Sequence, residues 1–448
     1  MPTYSILTLF HFDVLAKTMS AIVMFIGIIV GLFAKRYIQG DSRYYRFFAL
    51  LGLLVLSLIL MVSSDHIGIL FLFWGMSNLL LVRLMVHNTN WQATRNAGWV
   101  TAKTLVIGLI CLALAFSILY YCTNETSIRV ILHSLNTSNP LAILAMLLIL
   151  VAAMSQSALW PFHRWLTSSL NSPTPVSAIM HAGLVNGGGF LLARFAPLYI
   201  SQPVILNLIF ILGLCTALIG TWWKLIQNDV KRMLACSTIG QMGFMFVQCG
   251  LGLFPAAIAH LCWHGLFKAN LFLSSSSAAT ENRLQVDYPL NMLSLFLALI
   301  CGVLGSYLFA ITSNKTWLAN DTTFILVSIS FVAATQFALP ILKNAPLKNL
   351  PITILLTVLA SSVYGLSVWA IEAALVPIDI MHPQALNAFH LIGLVLLIIA
   401  WLIMIFKKQW ISNVNMARPW LMLYVKALND SQPHPSTITA HRNQYQYD

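Results

Sequence analysis

Charge is what this chain most lacks. Of its 448 residues only 8% are Asp, Glu, Lys or Arg, and no more than 12 residues are acidic. So little charge against 59% apolar residues excludes a soluble domain, whose surface could not be covered, and leaves a polytopic membrane protein. The cysteines Cys111, Cys122, Cys215, Cys236, Cys249, Cys262 and Cys301 are scattered in or beside apolar runs without a single CxxC. That argues against disulfides and against a metal site in this chain. Clusters of Arg with aromatics are lacking too, so the net charge of +12 points to membrane lipids or an acidic partner, and not to nucleic acid. The opening MPTYSILTLFHFDVLAK has neither a basic start nor a small-residue cleavage site, so the first apolar run is expected to stay as an anchor.

What the chain has is apolar runs of membrane-spanning length. They fall near Val14–Phe33, Phe47–Val62, Ile67–Val86, Val100–Tyr121, Leu141–Leu159, Thr174–Phe195, Val204–Leu225, Met233–Leu251, Pro255–Leu273, Leu290–Ala310, Phe324–Leu342, Ile352–Ala370 and Leu386–Phe406. The expectation is an all-α bundle of about 13 transmembrane helices. It would form a membrane domain over 1–410 with its core at 142–277, followed by a partly disordered cytoplasmic tail over 411–448 with an interfacial segment around Trp420. Alternating the sides collects most cations on one of them, among them Lys35, Arg36, Arg83, Lys231, Arg232, Arg283, Lys407 and Arg442. The other side holds only Lys17, Arg129, Arg194 and Lys315, which puts the N-terminus outside and the C-terminus in the cytoplasm.

The stretch from Ala142 to Phe195 is apolar yet interrupted. Ser155, Gln156 and Ser157 lie inside it, Pro161 stops the first helix, and Pro173 and Pro175 precede a second one bearing His181 and Asn186 among Gly183, Gly187, Gly188 and Gly189. Breaks at membrane depth survive where protein or water satisfies the freed backbone, so a water-lined entrance around Gln156 and Pro161 is expected.

Further on, PAAIAHLCWHGLFKANLFL sets His260, His264 and Lys268 at i, i+4 and i+8, one helical stripe about 12 Å long. Three titratable groups in hydrocarbon suit a proton ladder. The alternative is two histidines bonded to neighbouring hydroxyls or carbonyls and a lysine that reaches for an interface. Lys231, with Asp229 nearby, begins the preceding helix and could equally be a loop lysine obeying the charge rule. His181 could be a relay or a structural hydrogen-bonder. Lys103 is close enough to a span end to be structural, and Glu372 and Asp13 read as interfacial.

Taken together, WPFHRWL…NSPTPVSAIMHAGLVNGGGFLLARF and NDVKRMLACSTIGQMGFM…AAIAHLCWHGLFKANLFL resemble the proton-translocating antiporter-like subunits of NADH-quinone oxidoreductase and of multisubunit cation/proton antiporters. The runs KRYIQGDSRYYRFF, WGMSNLLLVRLM and HAGLVNGGGFLLARFA narrow the likeness to the DabB family of inorganic-carbon transporter membrane subunits. The resemblance implies an inverted-repeat core with His181, Lys231, His260, His264 and Lys268 at its membrane-embedded relay positions, and Gln156, Asn186, Lys103 and Asp229 as accessory candidates. It also implies a DabA-like large cytoplasmic partner that carries zinc, with no cofactor in this chain. The pattern is incomplete: Gly75 stands where antiporter-type members have Glu after the tryptophan, Gln156 replaces a lysine, Lys103 replaces an arginine, and Leu290–Ala310 lacks the distal lysine or glutamate. These losses favour a single proton path feeding a partner enzyme over a respiratory or sodium/proton antiporter module. A non-conducting membrane anchor is the remaining alternative.

Overall fold

A computed structural model describes residues 9–275, 291–343, 345–411 and 418–438. Its helices are α1 Val14–Tyr37, α2 Tyr44–Val62, α3 Ile67–Met85, α4 Gln92–Thr123, α5 Ile128–Ser134, α6 Pro140–Gln156, α7 Arg164–Thr167, α8 Thr174–Ala182 and α9 Gly187–Arg194. They continue as α10 Ala196–Ile200, α11 Pro203–Ile226, α12 Val230–Gly250, α13 Phe254–Ser274, α14 Met292–Thr312, α15 Thr323–Leu342, α16 Pro346–Leu375, α17 Ala388–Ile411 and α18 Arg418–Asp430. Each of the expected apolar windows coincides with helix. Among the described residues, ten segments are long and apolar enough to cross a membrane, α8 and α9 counting as one of them. α6 is shorter, at 17 residues, and α12 and α13 carry the polar groups described below.

The two faces of the bundle are chemically unlike. On the face bearing Asp13, isolated backbone bridges join Phe10 to Ser64, His66 to Ser127, Leu253 to Met381 and Asp321 to Ala385. Three of the four expected cations on that face are neutralised: Arg129 by Asp65 at 3.2 Å, Arg194 by Asp13 and Lys315 by Glu372. Asp13 and Glu372 are therefore ion-pair partners, and Asp13 also caps α1 by accepting from the Ala16 N–H at 2.8 Å. On the opposite face His87 Nε2 lies 2.9 Å from Asp41, and the Arg43 N–H, followed by the His87 ring, holds the Asp41 carboxyl below its ordinary range. Of the cations expected there, Arg283 and Arg442 lie outside the described residues.

Burial is graded toward the centre. Every residue from Thr174 to Arg194 is buried, whereas α16 and α17 bury only 17% of their apolar windows and present the rest outward. Such outward apolar surface is stable only in lipid or under another subunit.

One expectation needs correction. The first helix of the broken stretch does not run to Pro161; it ends at Gln156, because Ala158 adopts a left-handed conformation and the Leu159 N–H turns back to the Met154 carbonyl at 3.0 Å. A further break occurs inside the second helix: α8 stops at Ala182, Leu184–Asn186 form a single 3-10 turn, and α9 restarts at Gly187. Of the tail expected to be partly disordered, residues 418–438 are among those described. α18 exposes Trp420 through Val425, but from Ala427 to Thr437 the chain lies against the bundle, with Ala427, Ser431 and Thr437 buried. Residues 439–448 of the expected tail lie outside the described residues.

Candidate functional site: a buried histidine and lysine row

Glycine determines how closely the elements of the site approach. A side chain at Gly265 would put its Cβ 2.8 Å from the Ala182 carbonyl, and one at Gly189 would meet Met245 Sδ at 2.6 Å and Leu261 Cδ1 at 2.9 Å. Their bare backbones let α8 and α9 lie directly on α12 and α13. That contact places His181 beside the stripe of α13.

Along α13, His260 is half-buried, His264 is 4% exposed and Lys268 fully buried. The two imidazoles lie nearly parallel, 13° apart in plane, with centroids separated by 6.1 Å. Neither ring nitrogen of His264 has a hydrogen-bond partner among the described residues. A buried imidazole in that condition is costly unless water reaches it, since an unmade buried hydrogen bond costs about 1–3 kcal/mol.

Lys268 Nζ donates to the Leu234 carbonyl at 3.2 Å. The Thr238 hydroxyl donates to the same carbonyl at 3.0 Å, so its oxygen is left to accept from His181 Nδ1, 3.1 Å away. In that arrangement of hydrogens a neutral His181 carries its proton on Nδ1. His181 is further held flat against Phe272, centroid to centroid 4.2 Å. The result is a continuous polar line from His181 through Thr238 and the Leu234 carbonyl to Lys268, with His264 and His260 above it on α13.

Other candidates fall in varied places. Asn186 joins the site: its amide donates to the Ala182 carbonyl at 2.8 Å and to Leu261 at 3.4 Å, tying the break to α13 between the two histidines. Lys231 stands one turn ahead of Leu234, half-buried, and no hydrogen bond or ion pair joins it to the row. Asp229 accepts from the Arg232 N–H at 2.8 Å and caps α12, so the structure gives it a folding role. Lys103 is exposed on α4 with its ammonium 5.1 Å from the Trp99 ring, away from the row.

Gln156 is buried in a separate pair. Its amide donates to Asn78 Oδ1 at 3.0 Å, leaving Asn78 Nδ2 and Gln156 Oε1 without partners among the described residues. Trp74 and Gly187 pack over it, and the Ser157 hydroxyl donates to the Val185 carbonyl at 2.7 Å. Gln156, expected beside a water-lined entrance, is thus enclosed by protein groups. Pro161 lies exposed on the opposite face from Asp13, while Pro173 and Pro175 begin α8, where a missing N–H costs nothing.

Thr238 escaped sequence reasoning. A threonine mid-helix that bonds the i−4 carbonyl is ordinary, and only its position beside His181 gives it a second use. Replacing it with Val, which keeps the shape and removes the hydroxyl, is expected to reduce any His181-dependent proton flux about tenfold by leaving Nδ1 unpaired. Thr238→Ser should retain flux. Equal rates for the two variants in reconstituted vesicles would show that the hydroxyl plays no part.

The chain is similar to known proteins at several levels. Residues 64–311 match the family model described as NADH:quinone oxidoreductase/Mrp antiporter, transmembrane, and residues 1–48 match that of the NADH-ubiquinone oxidoreductase chain 5 N-terminus. The chain is 40% identical over 295 residues to the probable inorganic carbon transporter subunit DabB1 of Halothiobacillus neapolitanus, covering 64% of this chain and 53% of that protein. It is 38% identical over 306 residues to the probable inorganic carbon transporter subunit DabB of Bacillus subtilis, covering 65% and 60%. Subunit L of the Escherichia coli NADH-quinone oxidoreductase is 34% identical over 273 residues, 59% of this chain and 44% of that one. The match therefore spans little more than half the length of the transporter relatives. Among solved structures, the Mrp complex of a Dietzia species superposes with a TM-score of 0.58 at 24% identity, over 94% of this chain and 45% of its counterpart, a likeness of fold.

Proposed function

The chain belongs to the NADH:quinone oxidoreductase/Mrp antiporter membrane family, and from that premise we propose that it is the proton-conducting membrane subunit of an inorganic-carbon accumulation complex. The observation that carries the reading is the line His181, Thr238, Leu234 carbonyl, Lys268, with His264 and His260 continuing along the same helix. Titratable groups are expensive in hydrocarbon, and a row of them on the inward face of a bundle serves charge movement more readily than packing.

In this reading protons step along the row, with water bridging the His264 nitrogens, and His181 couples α8 of the broken segment to α12 and α13. The other half of the bundle holds the neutral Gln156–Asn78 pair and lacks a carboxylate at Gly75, so it offers no second charged path. The transporter names of the relatives support inorganic carbon as the cargo. Proton-motive force would drive CO2 hydration in a DabA-like zinc-bearing partner. One charge crossing 100 mV supplies about 2.3 kcal/mol, enough to bias a reversible hydration step more than tenfold. The cation-rich face would lie in the cytoplasm, where the partner meets it through the basic rim and the helix bearing Trp420.

The neutral pair in the other half favours a second reading, a non-conducting anchor that only recruits the enzyme. Proton uptake by vesicles containing the purified complex, followed with a trapped pH dye under an imposed potential, separates the two. A conducting subunit gives uptake that a protonophore overrides and that requires this chain. An anchor gives no uptake above protein-free vesicles.

A further inference from the structure

The C-terminal segment that follows α18 touches the bundle through contacts drawn from distant parts of the chain. His163 Nε2 lies 3.1 Å from the Asp430 carbonyl, and the Ser168 hydroxyl accepts from the His434 N–H at 2.9 Å. The Asn171 amide donates to the Thr437 carbonyl at 2.9 Å and the Asn96 amide to the Ser436 carbonyl at 2.6 Å. On the other side Gln227 Nε2 donates to Ser431 Oγ at 2.8 Å and Arg232 Nη1 to Gln432 Oε1 at 2.8 Å. Ser431 is fully buried, so the segment is inlaid and not merely adsorbed. His163, buried beneath it near the positive Arg164, is pushed down to about 4 by its loss of water, despite the Asp430 carbonyl.

The anchors divide into two groups. His163, Ser168 and Asn171 belong to the connection between α6 and α8, and Asn96 to the start of α4, all on the Gln156–Asn78 side. Gln227 and Arg232 close α11 and open α12, two residues before the carbonyl that holds Lys268. Resting on the proton-conducting reading, we propose that residues 427–438 are a strap that locks the broken segment to α12 and so closes the row at the end nearest Lys268.

The fold makes this economical. Conduction through buried groups needs an interval in which water reaches Lys268, and the shift that admits it must move α8 relative to α12, since His181 and Thr238 join them. A strap bonded to both sides raises the free energy of that shift. Most of its bonds run to backbone groups of the strap, so they demand a position in space more than particular strap side chains.

Two variants test the strap in the purified complex. One ends the chain after Asp430. The other keeps the chain whole and removes three anchors, Asn96→Ala, Asn171→Ala and Gln227→Ala, in case the shortened chain misfolds. Passive proton leak into vesicles is expected to rise several-fold in both, and to fall back when Lys268→Met is added. Deuterium exchange should rise together at 163–171 and 227–234. Unchanged leak in both variants would overturn the strap, as would a leak that persists with Lys268→Met, which would mean a damaged bundle. Loss of the conduction reading would look different: no Lys268-dependent flux in the unaltered complex.

Discussion

Lys268→Met should lower proton flux about 100-fold, equivalent to about 2.7 kcal/mol, while leaving the protein folded and assembled. Methionine has nearly the length of lysine and an apolar end, so it fills a fully buried site without a cavity. The Leu234 carbonyl is not orphaned by the change, because the Thr238 hydroxyl still donates to it. What is lost is a group that can take up and release a proton. Lys268→Arg separates that loss from loss of charge, since a guanidinium stays protonated; it should also fail to conduct. Flux measured in vesicles, normalised to assembled complex, decides the matter. Wild-type flux in the Met variant would remove Lys268 from the path, and wild-type flux in the Arg variant would show that charge alone suffices.

The helices were largely legible in the sequence because membrane spans declare themselves by length: an apolar run has no other stable home. The spacing of His260, His264 and Lys268 was equally plain, since i, i+4 and i+8 share a stripe in any helix. Harder to read was the role of glycine. Gly183 ends α8, whereas Gly189 and Gly265 serve close approach, and nothing within GLVNGGGFLL distinguishes a break from a seam before α13 is in place. Thr238 and His181 are 57 residues apart, so their hydrogen bond exists only in the fold.

Local sequence says little about two further places. Asp229 is an accessory candidate by resemblance, and only the fold shows its carboxylate capping α12 through the Arg232 N–H. The end of the chain hides its order in the same way. SQPHPST is polar and has no period, which reads as disorder, yet its backbone finds hydrogen-bond partners on residues 266 to 340 positions away. Order of that kind comes from partners and leaves no local trace.

The second large effect concerns the seam that holds α12 in place. α11 and α12 cross at Gly213, Gly220, Gly240 and Gly243, where backbone lies on backbone: a Cβ at Gly213 would come within 2.6 Å of Val247 N, and one at Gly243 within 2.7 Å of the Gly213 carbonyl. In a membrane such packing replaces the hydrophobic drive that lipid removes. Since the obstructing atoms are main chain, they cannot rotate away. Gly243→Ala should therefore cost near the top of the roughly 1–3 kcal/mol typical of overpacking and lower the thermal midpoint of the purified protein. Gly243→Leu should abolish assembly, because the helices could meet only by separating, and Leu234 and Thr238 would leave Lys268 and His181 with them. Gly52, exposed with nothing within 4 Å of its missing Cβ, is the matched control. Gly52→Leu should yield monodisperse protein at the wild-type level; if Gly243→Leu did the same, the close crossing of α11 and α12 would not be what sets the geometry of the row.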